Sequence, residues 1–280
     1  MTTTEDLLLP CAGGDIHVRQ DGPRDAPALA LVHGLGGSTR WWDAVVPDLA
    51  ARHRVVRIDL LGHGRSARPD GPGYGLVEHG RRVGEVLDRL GVARVAGIGH
   101  STGGLVLTSL AEERPGLVGA LALIDTGPAL DAFVSNGLAG RLVLAPGIGA
   151  LVWRLRTDGL IRKALSTAFS RPGYAIPQEI VDDLRGMTLH GTVATSLGAE
   201  AYLRQRPAPA RLTALGLPLL VLYGAEDRRW QPARFADYAA VPGATVDPMP
   251  GLGHSPMLED PERTLTRLLA FLTEHASPQG

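Results

Sequence analysis

Short apolar runs alternate along this chain with longer segments of helical period, and that alternation restricts the fold more than any other feature. Most of the runs are continuously apolar, as expected for strands of a parallel sheet whose two faces are covered by helices. The predicted strands are residues 28–32, 55–60, 95–98, 117–124, 219–223 and 244–246. The sequence therefore predicts an α/β fold built on a mostly parallel sheet.

Two amphipathic helices and one hairpin are predicted around these strands. Asp260 and Pro261 provide an N-cap and a first-turn proline for the last helix. Residues 7–9 and 16–19 flank a pair of glycines and are predicted to form an antiparallel hairpin at one edge of the sheet. The apolar positions that define the two helices are Val83, Val86, Leu87 and Leu90, and then Leu265, Leu268, Leu269 and Leu272.

The alternation stops between residues 127 and 215, where the pattern is helical and is interrupted by prolines and glycines. We predict that residues 1–126 and 216–280 form an α/β core and that residues 127–215 form an inserted helical cap. The insertion has more apolar residues than short helices need for their own packing, so it is expected to cover an apolar pocket or to form a small core of its own. These residues are Phe133, Leu142, Leu144, Leu151, Val152, Trp153, Leu155 and Phe169.

The charge balance gives no indication of a polyanionic partner. Lys and Arg total 28 against 29 Asp and Glu, so no net field favours nucleic acid or an anionic membrane. The single cysteine, Cys11, rules out an internal disulfide and a four-cysteine zinc site. The start of the chain lacks a signal-peptide pattern and no apolar run is long enough to span a membrane, so we expect a cytoplasmic protein.

The pentapeptide from Gly99 to Gly103 has the form G-x-S-x-G and carries the most chemical information. It follows a predicted strand and precedes a predicted helix, the context in which a sharp turn exposes the Ser101 hydroxyl above the sheet. A nucleotide-binding turn is the competing interpretation, but Thr102 stands where a dinucleotide fingerprint requires its third glycine. Ser101 is therefore predicted to be a nucleophile, with a structural small residue in a tight turn as the alternative.

A serine nucleophile requires a base, and the base requires an acid that orients it. His254 lies in a loop before the last helix, and Asp227 follows a predicted strand. The chain order serine, acid, histidine is typical of this arrangement, and the carboxyl ends of parallel strands meet at one edge of the sheet. We predict a Ser101, His254 and Asp227 catalytic triad, with Glu226 and Asp125 as alternative acids.

Backbone N–H groups that stabilise an oxyanion are predicted at Leu35 and Thr102. Leu35 lies in the glycine-rich stretch His33–Gly37, whose glycines allow the chain to fold back toward the nucleophile. Thr102 begins the helix that follows Ser101.

Other polar and aromatic residues near these motifs are predicted to have structural roles. No two of the nine histidines have the spacing of a helical zinc site, so no metal site is predicted. Trp41 and Trp42 are predicted to pack at a helix start, with a wall of the pocket as the alternative. Residues predicted to hydrogen-bond nearby backbone, without titrating with activity, are His33, Asp59, His63, Arg65 and His100.

On these residues the chain resembles the α/β-hydrolase superfamily, in particular its serine esterase and lipase branch with a helical cap. The resemblance rests on Gly99–Gly104, His33–Gly36, Asp59–Ser66, Asp227 and His254. It implies an eight-stranded, mostly parallel sheet with an antiparallel second strand, a cap after the sixth strand, and no cofactor. The similar haloalkane dehalogenases and epoxide hydrolases have an aspartate at the position that Ser101 occupies.

The expected activity is hydrolysis of carboxylic esters, or of related lactones and thioesters, through an acyl-enzyme on Ser101. A C–C bond hydrolase stays open, as do a cofactor-free lyase or cyclase of a secondary metabolite and a non-catalytic ligand-binding protein. No cluster of charged residues can be assigned to the pocket, so we expect a small-molecule, mostly apolar and uncharged substrate. No pattern in the sequence predicts the acyl chain length, the stereochemistry or the oligomeric state.

Overall fold

Eight strands form one sheet in the computed structural model, which describes residues 4–134, 143, 145 and 147–276. The strands are β1 (Glu5–Leu9), β2 (Ile16–Asp21), β3 (Ala28–Val32), β4 (Arg54–Ile58), β5 (Val95–His100), β6 (Val118–Ile124), β7 (Leu219–Gly224) and β8 (Ala244–Met249). The spatial order is β1-β2-β4-β3-β5-β6-β7-β8. β2 runs antiparallel to β1 and β4, and the remaining neighbours are parallel. The predicted eight-stranded, mostly parallel sheet is therefore confirmed.

The continuously apolar strands are buried on both faces, as β3 illustrates. Leu29 and Leu31 point into one buried cluster, whereas Ala28, Ala30 and Val32 point into the cluster on the opposite face. Successive side chains of a strand alternate between the two faces of the sheet, so such a run forms a strand only where both faces are covered. Each fully buried leucine contributes roughly 1.5–3 kcal/mol to folding.

Helices supply that cover on both faces. The helices are α1 (Val46–Ala50), α2 (Leu76–Arg89), α3 (Thr102–Glu113), α4 (Gly149–Arg154), α5 (Asp158–Leu165), α6 (Gln178–Gly186), α7 (Leu189–Gln205), α8 (Ala208–Leu215), α9 (Pro256–Glu259) and α10 (Pro261–His275). α2 and α3 lie on one face, while α1 and α10 lie on the other. Asp260 caps α10 as predicted, because its side chain accepts a hydrogen bond from the Arg263 N–H at 3.2 Å. Within the described ranges, none of these helices combines the length and apolar character needed to cross a bilayer.

The segment between β6 and β7 contains α4 to α8, and its described residues contribute no strand to the sheet. α8 packs against α3 and against the 3-10 helix Pro232–Ala240. The apolar residues of this segment differ in how far they are buried. Leu151 and Leu155 are 55% and 59% exposed, whereas Phe169 is buried against the core. Leu142 and Leu144 lie outside the described residues.

Most strands differ at one or both ends from the sequence-based expectation, by one to three residues, and β4 is an example. β4 ends at Ile58 rather than at residue 60, because the Asp59 side chain accepts hydrogen bonds away from the sheet. Its carboxylate accepts from the Thr39 N–H at 2.6 Å and from the Arg65 N–H at 2.9 Å, and it bonds the His17 ring at 2.6 Å. Asp59 thereby organises the loop that follows β4.

Candidate active site

Ser101 lies in a strained turn between β5 and α3. Its backbone has φ 50° and ψ −118°, a region that residues other than glycine rarely adopt. The turn needs glycine beside it, because a Cβ on Gly103 would lie 2.1 Å from the carbonyl oxygen of Val32. The Ser101 N–H donates to the Ile124 carbonyl at 2.8 Å, and the Thr126 hydroxyl donates to the Ser101 carbonyl at 3.0 Å. Backbone strain that close packing and hydrogen bonds hold in place is typical of functional sites.

The structure brings His254 and Asp227 to Ser101. Nε2 of His254 lies 3.0 Å from Oγ of Ser101, and Nδ1 lies 2.8 Å from Oδ2 of Asp227. A carboxylate can only accept hydrogen bonds, so Nδ1 carries the proton and Nε2 accepts from the serine hydroxyl. The other carboxylate oxygen of Asp227 accepts from the N–H groups of Arg229 and Trp230, at 2.7 and 3.3 Å.

Asp227 stays ionised in this buried position. Burial alone would raise its pKa, but electrostatic attraction to the His254 ring and the hydrogen bonds donated by that ring and by the Arg229 N–H hold the pKa below its ordinary value. The adjacent Glu226, the alternative acid on this loop, is exposed and its carboxylate bonds neither His254 nor Ser101 among the described residues. Asp125, the second alternative acid, is buried beside Asp227 rather than in its place.

Leu35 and Thr102 both line the cavity beside Ser101 and His254. Neither backbone N–H donates a hydrogen bond to any acceptor in the described part of the chain. The loop that holds Leu35 approaches the nucleophile closely, because a Cβ on Gly34 would lie 2.7 Å from Nδ1 of His100 and 3.1 Å from Cβ of Ser101. Two unpaired donors therefore border the space above the serine hydroxyl.

The cavity above Ser101 has a volume of about 70 Å³. Its walls are mostly apolar, and α7 supplies several of them. Two charged residues that sequence reasoning missed, Glu200 of α7 and Arg229, also line it. Arg229 had one sequence signal, its place two residues after Asp227, whereas nothing in the sequence distinguishes Glu200 from a surface acid. The apolar and aromatic lining residues are Leu35, Leu105, Leu130, Phe133, Leu203 and Trp230.

Residues predicted to be structural lie away from this cavity. Trp41 and Trp42 are buried in the core cluster that contains Leu29 and Leu31, and neither lines the cavity. His33 accepts from the Leu60 N–H at 3.1 Å through Nε2, and its Nδ1–H donates to the Gly34 carbonyl at 2.8 Å.

The buried framework histidines stay neutral. His100 donates from Nε2 to the His254 carbonyl at 2.7 Å. Burial lowers the pKa of His33, of His63 (to about 3) and of His100.

Cys11 is half-buried, and burial raises the pKa of its thiol to about 11.

Asp125, Asp227 and His254 each offer one possible metal-ligand atom, and these atoms lie within 4.8 Å of one another. Both ring nitrogens of His254 are already hydrogen-bonded, one to Asp227 and the other to Ser101. A metal ion would break at least one of these bonds, so we interpret the cluster as a hydrogen-bonded group rather than a metal centre.

Comparisons with known proteins identify the family of this chain. The sequence model of the alpha/beta hydrolase family matches residues 29–267. A solved structure of a hydrolase from Pseudomonas aeruginosa PA01 is 28% identical with a TM-score of 0.75, over 96% of this chain and 98% of that one. A bacterial membrane phospholipase A is 26% identical with a TM-score of 0.76, over 97% of this chain and 86% of that one.

A further relative is the dihydrolipoyllysine-residue acetyltransferase component of the acetoin cleaving system of Pseudomonas putida. It is 32% identical over 257 residues, which cover 91% of this chain and 65% of the relative. The family match spans most of the chain, including both strand ends that carry Ser101 and Asp227. The chain therefore belongs to the alpha/beta hydrolase family.

Proposed function

We propose that this protein is a serine hydrolase that cleaves carboxylic esters or closely related acyl compounds. One observation carries the proposal: hydrogen bonds of 2.8 and 3.0 Å join Asp227 to His254 and His254 to Ser101. The serine of this chain stands in a strained turn, and the histidine has its acceptor nitrogen toward the hydroxyl. This is the arrangement that activates a serine for nucleophilic attack.

The reaction proceeds in two steps through an acyl-enzyme. His254 takes the hydroxyl proton as Ser101 attacks the substrate carbonyl carbon, and then gives that proton to the leaving alcohol. In the second step His254 takes a proton from water as the water attacks the acyl carbon. His254 then gives that proton to Oγ of Ser101 as the bond between the acyl carbon and Oγ breaks, which releases the acid and restores the enzyme. Asp227 holds the imidazole in the required tautomer and stabilises its protonated form.

Leu35 and Thr102 are proposed to stabilise the tetrahedral intermediates through their backbone N–H groups. Both groups lack a hydrogen-bond acceptor among the described residues and border the cavity above Ser101. A donor of this kind contributes roughly 3–4 kcal/mol to stabilising the transition state. The side chain of Leu35 has no part in this step.

The substrate is proposed to be a small, mostly apolar molecule. The cavity is small, and leucine, phenylalanine and tryptophan side chains form most of its apolar wall, beside the charged Glu200 and Arg229. The names of two relatives support acyl chemistry, since one is a phospholipase A and the other an acetyltransferase component.

A fluorophosphonate probe followed by peptide mass analysis tests the nucleophile directly. We expect a covalent mass increase on Ser101 and none in the Ser101→Ala variant. Ser166→Ala, which removes an exposed hydroxyl outside the cavity, serves as the matched control and should label as the native protein does. A folded native protein that does not react would overturn the proposal.

A series of p-nitrophenyl esters, set beside thioesters and lactones, then identifies the substrate class. Ester turnover that Ser101→Ala lowers by at least roughly 10⁴-fold supports the proposed mechanism. If the probe labels the protein but none of these compounds is turned over, Ser101 is an activated nucleophile and hydrolysis of these esters is excluded.

A further inference from the structure

Asp125 is a buried carboxyl group that the mechanism above does not use. It follows β6 directly, is 0% exposed and has a φ of 45°. Its Oδ1 atom accepts a hydrogen bond from the Gly224 N–H at 2.9 Å. Its Oδ2 atom has no hydrogen-bond partner among the described residues. A buried oxygen without a hydrogen-bond partner lowers the stability of the folded protein. The presence of Asp125 at this position therefore requires an explanation.

The nearest polar neighbours of Asp125 are the acid and the base of the proposed mechanism. One carboxylate oxygen of Asp125, one of Asp227 and one ring nitrogen of His254 all lie within 4.8 Å of one another. Two carboxyl groups this close and this buried do not both ionise, because like charges in a low dielectric repel strongly. One of the two therefore holds a proton.

The surroundings decide which carboxyl group is neutral. Burial raises the pKa of Asp125 well above its ordinary value, and the charge of Asp227 raises it further. Asp227 instead has His254 and two backbone N–H groups as partners that favour its ionised form. Asp227 and Glu259 are the titratable groups whose charges act on Asp125, and the His254 ring lies in the same cluster.

We propose that Asp125 is a positioning residue, a neutral carboxylic acid whose proton is donated to the Asp227 carboxylate. The hydrogen-bonded chain then runs from Asp125 through Asp227 and His254 to Ser101. The donated hydrogen bond fixes the orientation of the Asp227 carboxylate and withdraws part of its negative charge. Asp125 therefore limits how strongly Asp227 holds a proton on the imidazole. This inference rests on the proposed function.

Two substitutions separate this role from mere packing, because both tolerate the positive φ at this position. Asp125→Asn keeps an acceptor for the Gly224 N–H and supplies an uncharged N–H donor to Asp227. Asp125→Gly removes the donor and the acceptor without straining the backbone. We expect Asp125→Asn to keep kcat within about threefold, and Asp125→Gly to lose about tenfold or more in kcat with little change in KM.

The position of the acid limb in the profile of kcat/KM against pH shows whether Asp125 is neutral or ionised. It should stay in place in Asp125→Asn and move to higher pH in Asp125→Gly, because the full charge of Asp227 then holds the imidazole proton more strongly. If Asp125 is ionised in the native enzyme, Asp125→Asn removes a charge and the limb moves to lower pH, by about one unit or more. That shift, or an unchanged Asp125→Gly variant, overturns the proposal.

Infrared spectroscopy gives a readout that needs no substrate. At pH 8, Asp183, whose pKa burial raises to about 6, is ionised. The native protein should then show the carbonyl band of a neutral carboxylic acid that Asp125→Asn lacks. If the band is present but no ester is turned over, the proposed function fails and the neutral Asp125 stands. If native and variant spectra agree, the neutral acid is excluded whatever the activity.

Discussion

Ser38 donates a hydrogen bond from its hydroxyl to Oδ2 of Asp183 at 2.6 Å, which joins the loop after β3 to α6, in the segment between β6 and β7. Arg40 donates to the other oxygen of the same carboxylate at 2.7 Å. A Cβ on Gly36 would lie 3.0 Å from Cδ1 of Leu184, so α6 packs directly on this loop. α6 therefore contacts the loop that carries Leu35.

The Asp183 link should make stability depend on pH. Burial raises the pKa of Asp183 to about 6, so between its ordinary value and 6 the folded protein keeps a proton that the unfolded chain loses. The free energy of unfolding should fall as pH rises through this window, by up to about 3 kcal/mol from this group. Urea unfolding between pH 4 and pH 7 measures the effect.

Asp183→Asn should remove this contribution, so the difference in unfolding free energy between native protein and variant should change across the window. The control is Asp182→Asn, an exposed neighbour on the same helix, which should follow the native curve. A difference between native and Asp183→Asn that is constant from pH 4 to pH 7 would contradict the assignment.

The second prediction concerns the acid that orients His254. Asp227→Asn should lower kcat by about 10⁴-fold, because an amide N–H facing Nδ1 forces the wrong tautomer on the ring. Glu226→Gln, on the exposed neighbouring acid, should leave kcat unchanged. Steady-state rates with one activated ester suffice, and equal effects of the two variants would count against Asp227 as the partner of His254.

The third prediction separates backbone from side chain in the loop after β3. Leu35→Ala should keep kcat within about threefold, because the N–H donor stays in place. Gly34→Ala should lower kcat by about 10²-fold, since its Cβ would lie 2.7 Å from Nδ1 of His100 and would displace the loop. Both variants are measured with the same ester, and a larger loss in Leu35→Ala than in Gly34→Ala would refute the backbone role.

The fourth prediction concerns acyl chain length. The cavity of about 70 Å³ is lined in part by the half-buried Leu130. Leu130→Ala should raise kcat/KM for long relative to short acyl esters by about tenfold or more, because each methylene that fits is worth a factor of this order. Leu160→Ala, on an exposed leucine, is the control. An unchanged chain-length profile in Leu130→Ala would place the acyl group elsewhere.

Local sequence was sufficient for much of the fold. The run Ala28–Val32 is both the predicted and the observed extent of β3, because five successive apolar residues between Pro27 and His33 form a strand only where both faces are covered. The glycine-flanked Ser101 was recognisable for a similar reason, since the turn between a strand and a helix is a local property. The roles of Ser101, Asp227 and His254 stay predictions until the experiments above are done.

The sequence by itself determined the strands, the sheet class and the positions of the reactive side chains along the chain, because these depend on the periodicity and turn chemistry of neighbouring residues. Only the tertiary structure decided that Asp125 lies against Asp227, that Glu200 and Arg229 reach the cavity, and that Trp41 and Trp42 belong to the core. Such contacts join residues far apart in the chain, and they depend on how helices and strands pack, which no local pattern encodes.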